Sequence, residues 1–277
     1  MSLSGTLLFI DGEPAGDPTL GLLLASEKTV NVFETMKASG ASIFRLSEHL
    51  NRLFESAKTA GAQIPKERKE IETELENALK QIPPQETVFL RLTAIGSHTM
   101  IFVFHRTYPN HIYEKGVGLM TTAVCRNESN AFPPEAKTGQ FLNAILSHLD
   151  PVLAGAFESL FLNQEGYVTE TRASNFFIVK NEILKTPEPR GILDGVTRRF
   201  VIECARKEGF PVHEMPITRH EVWNADEAFL TNTSGEIVPV AFLDGRKIGS
   251  ITPGAITKKL MGRFQSELAQ ELKSREN

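Results

Sequence analysis

Among 277 residues there are two cysteines, one tryptophan and three tyrosines. Cys125 and Cys204 stand far apart and share no metal-ligand spacing, so neither a disulfide framework nor a zinc site is indicated, and a reducing compartment fits. Long apolar runs are scarce. The first, Leu7 to Ile10, is closed at once by Asp11, too short for a secretory leader or a membrane span, and the expected location is the cytoplasm. An excess of one charge is also lacking. Lys plus Arg number 30 against 34 Asp plus Glu, a net charge of −4, which offers no general attraction for nucleic acid or for an anionic membrane. A small-molecule partner is expected instead. No GxGxxG follows a strand, and GxxxxGK[ST], HExxH and GxSxG are absent, which takes most of the weight from the dinucleotide, P-loop and zincin readings. The seven histidines are dispersed and read as surface or helix residues, so no metal is assigned.

What is present is a globular composition, 41% hydrophobic and 23% charged. At this length one core usually divides, and the expected organisation is a small N-terminal domain over 1–123, a linker over 124–136 and a larger domain over 137–277. The linker expectation rests on the non-periodic, Pro-containing stretch CRNESNAFPPEA. Leu7 to Ile10 reads as a strand turned by Asp11-Gly12, and Val30 to Ala38 with Ser42 to Leu46 reads as a hairpin about Ser39-Gly40. Ser47 is placed as the cap of a helix whose Leu50, Leu53, Phe54 and Ala57 recur at helical spacing until Gly61. Lys66 to Ile82 repeats that pattern, and Thr87 to Ala94 and Met100 to Phe104 alternate as strands. Further on, helices are expected over Leu142 to Leu149, over Thr197 to Lys207 and from Pro253 onward, with a strand at Ser159 to Leu162 and a hairpin at Asn181-Glu182. The class is α/β or α+β.

Five separated segments carry a combined signal: EHLNRLFESA around Arg52, KTGQFLN from Lys137, GYVTETRASNF around Glu170, ILDGVTR around Gly195, and TNTSGEIVPV around Thr233. In order and spacing they resemble the class IV aminotransferases, pyridoxal-phosphate enzymes of fold type IV that include branched-chain and D-amino-acid aminotransferases and aminodeoxychorismate lyase. The resemblance runs from about Val32 to Phe264. It implies two domains with pyridoxal 5'-phosphate in the cleft between them, and a homodimer.

By that resemblance Lys137 forms the Schiff base with the cofactor aldehyde and then shuttles the α-proton. The chemistry needs a lysine able to lose its proton near neutral pH, which burial beside other cations provides. Glu170 matches the carboxylate beside the pyridine nitrogen, where a negative charge keeps the ring an electron acceptor. Arg52 matches the arginine on the cofactor phosphate, a dianion suited to a forked guanidinium. Gly195, Val196 and Thr197 precede a helix, so their amides and the Thr197 hydroxyl suit an anion at the positive helix end. Thr233 supplies a further phosphate hydroxyl, and the backbone of Ser234 and Gly235 is expected to face the substrate.

The chain departs from the family at Phe141, where relatives often place a tyrosine hydroxyl on the cofactor ring oxygen. Thr171 and Leu23-Leu24-Ala25-Ser26 stand where glycines are usual, so the substrate wall differs. ETRASN over Glu170 to Asn175 tilts the reading toward D-amino-acid over L-branched-chain substrates. Arg91 and Lys37 are candidates for a substrate carboxylate, with Arg172 a third. The expected reaction is ping-pong transamination between an amino acid and a 2-oxo acid. The alternative is an aminodeoxychorismate lyase, which eliminates pyruvate with the same lysine. A mere cofactor carrier has little use for Glu170.

Overall fold

Residues 6–15, 30–126, 132–139, 147 and 155–274 are described by the computed structural model of the chain. Phe141, the expected helix over 142–149 apart from Ser147, and Leu23-Leu24-Ala25-Ser26 lie outside the described residues. Contacts divide the chain into two units, the first formed from Met1–Thr107, Ala136–Gln140 and Glu267–Asn277, the second from Tyr108–Glu135 and Phe141–Ser266.

The first unit carries a six-stranded antiparallel sheet. Strands β1 (Leu7–Ile10) and β2 (Glu13–Ala15) turn at Asp11-Gly12, and β3 (Asn31–Ser39) turns into the short β4 (Ser42–Ile43). With β5 (Thr87–Ile95) and β6 (His98–Phe104) the order is β2-β1-β6-β5-β3-β4. Alternation decides which face is buried. Val32, Met36 and Ala38 of β3 join Leu90, Leu92 and Ala94 of β5 in one apolar cluster with Leu50, Leu53, Ala57, Ile71 and Leu75 of two helices. Those helices are α1 (Leu46–Ala60) and α2 (Arg68–Leu79). Gly61 ends α1 in the left-handed conformation, as its position suggested. Ser47 does not cap it. The helix starts from Arg45, itself left-handed, and Ser47 sits inside the first turn where its Oγ accepts from Arg68 Nη2 at 2.9 Å. Glu67 and Glu70 instead form a reciprocal capping box on α2.

The second unit carries a nine-stranded mixed sheet. In chain order its elements are α3 (Asn110–Lys115), β7 (Val117–Thr121), β8 (Glu158–Leu162), β9 (Val168–Thr171), β10 (Asn175–Lys180), β11 (Ile183–Thr186), α4 (Val196–Lys207), β12 (Val212–Glu214), α5 (Arg219–Trp223), β13 (Glu227–Asn232), β14 (Glu236–Leu243), β15 (Arg246–Lys247) and the part of α6 (Ala255–Ser274) up to Ser266, the rest of that helix counting with the first unit. The main path of the sheet is β12-β11-β10-β13-β14-β7-β8-β9. Asn181 and Glu182, both at positive φ, make the expected hairpin between β10 and β11. The first amides of α6 donate to Glu227, whose carboxylate occupies the positive helix end.

The division does not fall at 123/124. Residues 108–123 go with the second unit, because β7 pairs in parallel with both β8 and β14. Lys137, assigned from sequence to the larger domain, lies in the first unit, because residues 137–139 extend the open edge of β3. Gly139 N–H donates to Asn31 O at 3.0 Å and Phe33 N–H to Lys137 O at 3.3 Å. No helix of the described residues is long and apolar enough to cross a membrane.

Candidate active site

In the first unit, strand β3 indexes three chemistries at once. Its edge holds Lys137, one face carries Phe33, and the opposite face carries Glu34. The amide of Lys137 donates to Ser56 Oγ on α1 at 2.9 Å, and its Nζ stands 4.8 Å from the centre of the Phe33 ring. The Arg91 guanidinium lies over the same ring at 3.9 Å. Directly opposed residues of an antiparallel pair share a face, and Thr35 opposes Arg91 as Lys37 opposes Phe89. Phe33, Lys37 and Arg91 therefore line one side of the sheet, with Lys37 Nζ 6.0 Å from the Phe89 ring. Burial lowers the Arg91 guanidinium from its ordinary value.

On the core face, Arg52 Nε and Nη2 donate to Glu34 Oε1 and Oε2, both at 2.7 Å, and His49 Nδ1 meets Oε2 at 2.7 Å. Burial alone would raise the Glu34 carboxyl, but the charge and hydrogen bonds of Arg52, with those of His49, hold it far below the usual carboxylate range. Burial lowers His49, and the opposing pull of Glu34 does not restore it. Neither Glu34 nor His49 was singled out from sequence. His49, expected at a surface or on a helix, is on a helix and fully buried.

In the second unit, Glu170 on β9 is 5% exposed and its carboxylate is held from three directions. Arg126 Nη2 stands 2.8 Å from Oε1, Asn175 Nδ2 donates to Oε2 at 3.1 Å, and the Leu193 amide donates to both oxygens at 3.1 and 3.2 Å. Asn175 Nδ2 also donates to Leu193 O at 2.7 Å, tying β10 to the loop before α4. Gly195 is the N-cap of α4 and brings no side chain to the first-turn amides, while Val196 and Thr197 are buried. A Cβ at Gly195 would stand 2.2 Å from Asn175 Oδ1, so any larger residue there requires the Asn175 carboxamide to shift.

Thr233 is half-buried in the turn between β13 and β14. The amides of Ser234 and Gly235, expected to face the substrate, donate to Asn232 Oδ1 at 3.0 and 2.6 Å, and Asn232 Nδ2 donates to Ser174 Oγ at 2.9 Å. Tyr113 O–H donates to Gly235 O at 3.4 Å. Burial, then Glu236 and Tyr108, push its phenol up to about 12. Arg172 is exposed, 3.9 Å from Glu158. Among the described residues no cluster of His, Cys, Asp and Glu suits a metal ion.

A family model described as Amino-transferase class IV matches residues 31–242. The chain is 34% identical over 254 residues to the branched-chain-amino-acid aminotransferase of Pseudomonas aeruginosa, covering 85% of this chain and 83% of that one. It is 27% identical over 250 residues to the D-alanine aminotransferase of Bacillus licheniformis, covering 87% and 88%. Among solved structures, the branched-chain amino acid aminotransferase of Thermobaculum terrenum in its PLP-form superposes with a TM-score of 0.82 at 26% identity, covering 96% of this chain and 94% of that one.

Proposed function

The chain belongs to the class IV aminotransferases, and from that premise we propose that it moves an amino group from an amino acid to a 2-oxo acid by a ping-pong route in which Lys137 is the reacting amine. It is a pyridoxal-phosphate-dependent transaminase; the cofactor, when bound, supplies an aldehyde for amine exchange and a ring that accepts electrons. The observation that carries the assignment of Lys137 is its fixation on the β3 edge, with its amide on Ser56 and its Nζ over Phe33.

The residues fit the cofactor's chemistry. The glycine-capped start of α4 suits a phosphate ester, and the carboxylate of Glu170, steadied by Arg126 and Asn175, suits a pyridinium nitrogen. Thr231 Oγ1, on β13 opposite Asn175, is buried without a hydrogen-bond partner among the described residues. Arg52, Gly195, Val196, Thr197 and Thr233 would hold the phosphate and Glu170 the ring nitrogen. Lys137 Nζ would carry the proton to and from the substrate carbon. Arg91 and Lys37, on one sheet face, would receive the substrate carboxylate, with Ser234 and Gly235 on the substrate side in the second unit.

For substrate class we infer branched-chain amino acids first, because the relative bearing that name is 34% identical and the D-alanine enzyme 27%. The D-amino-acid reading keeps ETRASN in its favour. Yet Asn175 binds Glu170, and Ser174 accepts from Asn232, so the motif organises the site in either case. A homodimer in the cytoplasm completes the proposal, its mass checked by sedimentation equilibrium. The deciding experiment is the visible spectrum of the cofactor-loaded protein with single L- or D-amino acids and no acceptor. Bleaching by L-valine or L-leucine alone supports the reading, and bleaching by D-alanine alone selects the D-specific alternative. Pyruvate release from aminodeoxychorismate with no acceptor would replace transamination by the lyase reaction.

A further inference from the structure

The core face of β3 is apolar at Val32, Met36 and Ala38 and is interrupted by Glu34, which has no solvent exposure. A carboxylate in that position is costly unless fully bonded, and an apolar replacement of such a network is often neutral or stabilising, so stability does not account for the trio. Its placement does. His49, Arg52 and Ser56 fall three and four residues apart along α1, a single stripe of the helix, and Ser56 holds the backbone of Lys137. Two donors on one edge of Arg52 are committed to Glu34, which fixes the plane of the guanidinium. His49 holds the same carboxylate through Nδ1.

We propose that Glu34 and His49 are positioning residues for anion recognition by Arg52, Glu34 fixing the guanidinium fork and His49 fixing Glu34, so that a phosphate ester meets an arginine already oriented. The proposal rests on the reading of Arg52 as a phosphate ligand. Its physical basis is preorganisation: a long side chain frozen before binding loses less freedom when the anion arrives. His49 suits the task because, held neutral, it gives Glu34 a donor without bringing a second positive charge into the core. A lysine at position 52 could not share its charge with Glu34 through a planar fork in this way.

The test is equilibrium titration of the cofactor-stripped full chain with pyridoxal phosphate and, separately, with pyridoxal, which shares the ring and aldehyde and lacks the phosphate. Glu34→Gln is expected to weaken pyridoxal phosphate about tenfold, and His49→Gln about threefold, on the scale of losing an outer partner of a liganding side chain. Pyridoxal binding should change by less than about twofold, since the missing phosphate is the only group concerned. The preference for the phosphorylated form therefore falls, which a general loosening of the fold would not produce. If Arg52→Ala loses the preference while Glu34→Gln and His49→Gln keep it, the positioning proposal is overturned and the phosphate reading stands. If Arg52→Ala keeps it as well, the phosphate reading falls and takes the proposal with it. Should Glu34→Gln fail to fold, His49→Gln decides alone, an unchanged preference overturning the proposal.

Discussion

The two units hold their proposed site residues in different settings. The first uses side-chain charge: Glu34 and Arg52 are locked with His49 in an apolar core, and two basic side chains, Lys137 and Arg91, share the ring of Phe33. The second pairs Arg126 with Glu170 and Arg198 with Asp194 and Glu214, and around Glu170 it adds neutral groups: the amide of Leu193, the carboxamides of Asn175 and Asn232, and a helix start capped by glycine. A buried charge network is sensitive to loss of a partner, whereas a close-packed amide template is sensitive to added volume. The first unit should therefore break on charge and the second on shape.

The largest effect expected is at the one residue that no other group can replace. Lys137→Ala should reduce turnover by about 10⁴-fold or more, on the scale of removing a nucleophile from an intact site. Cofactor should still bind without covalent attachment, which equilibrium dialysis would detect, and near wild-type turnover would remove Lys137 from the chemistry. Next comes the charge network. Arg52→Ala strands Glu34 in the core and is expected to cost about 3–5 kcal/mol in urea unfolding. A loss below about 1 kcal/mol would mean that the pair relaxes into solvent and that the contrast is overstated.

For the second unit the matching experiment is Gly195→Ala. The added methyl meets Asn175 Oδ1, and pushing that carboxamide aside loosens both Glu170 and the loop at Leu193. About 1–3 kcal/mol of stability should be lost, with weaker cofactor retention. An unchanged melting temperature would show that Asn175 moves freely and that shape is not the sensitive element.

The smallest effect, and the sharpest contrast, is in pH. His49 is lowered in the folded state, so below its ordinary value of 6.5 the unfolded chain takes up a proton that the fold resists, and stability declines as pH falls. Tyr113 is raised from 10.0 to about 12, so above pH 10 the unfolded chain releases a proton that the fold retains, and stability declines as pH rises toward 12. The acid-side loss should shrink in His49→Gln and the alkaline-side loss in Tyr113→Phe, measured as melting temperature against pH. If each substitution alters both limbs equally, these groups are not the titrating ones.

Local pattern was the readable part of the sequence. The stripe of Leu50, Leu53 and Ala57 describes α1, the alternation over Thr87 to Ala94 describes β5, and Asn181-Glu182 marks its turn, because each depends on neighbours within a few residues. Arg52, Lys137 and Glu170 stood out through a pattern of separated motifs. Glu34 did not, although it carried a signal: a carboxylate in an otherwise apolar alternation of Val32, Met36 and Ala38. His49 and Ser56 carried another, the helical spacing they share with Arg52. Arg126 and Asn232 had none, since their partners are 44 and 58 residues away, at Glu170 and Ser174. The unit boundary was misplaced for the same reason, β7 being claimed by parallel partners from two distant stretches of chain.

The first unit is assembled from three stretches of chain, the last of them Glu267–Asn277, which brings Glu271 to the backbone and side chain of Arg45 at the start of α1. During synthesis, then, the segment bearing His49 and Arg52 precedes the lysine on its strand edge, and Glu271, which joins Glu48 as an acidic partner of Arg45, follows both. A ribosome that stalls before α6 would leave a chain with every proposed site residue already synthesised and the unit that holds the lysine still short of one of its pieces.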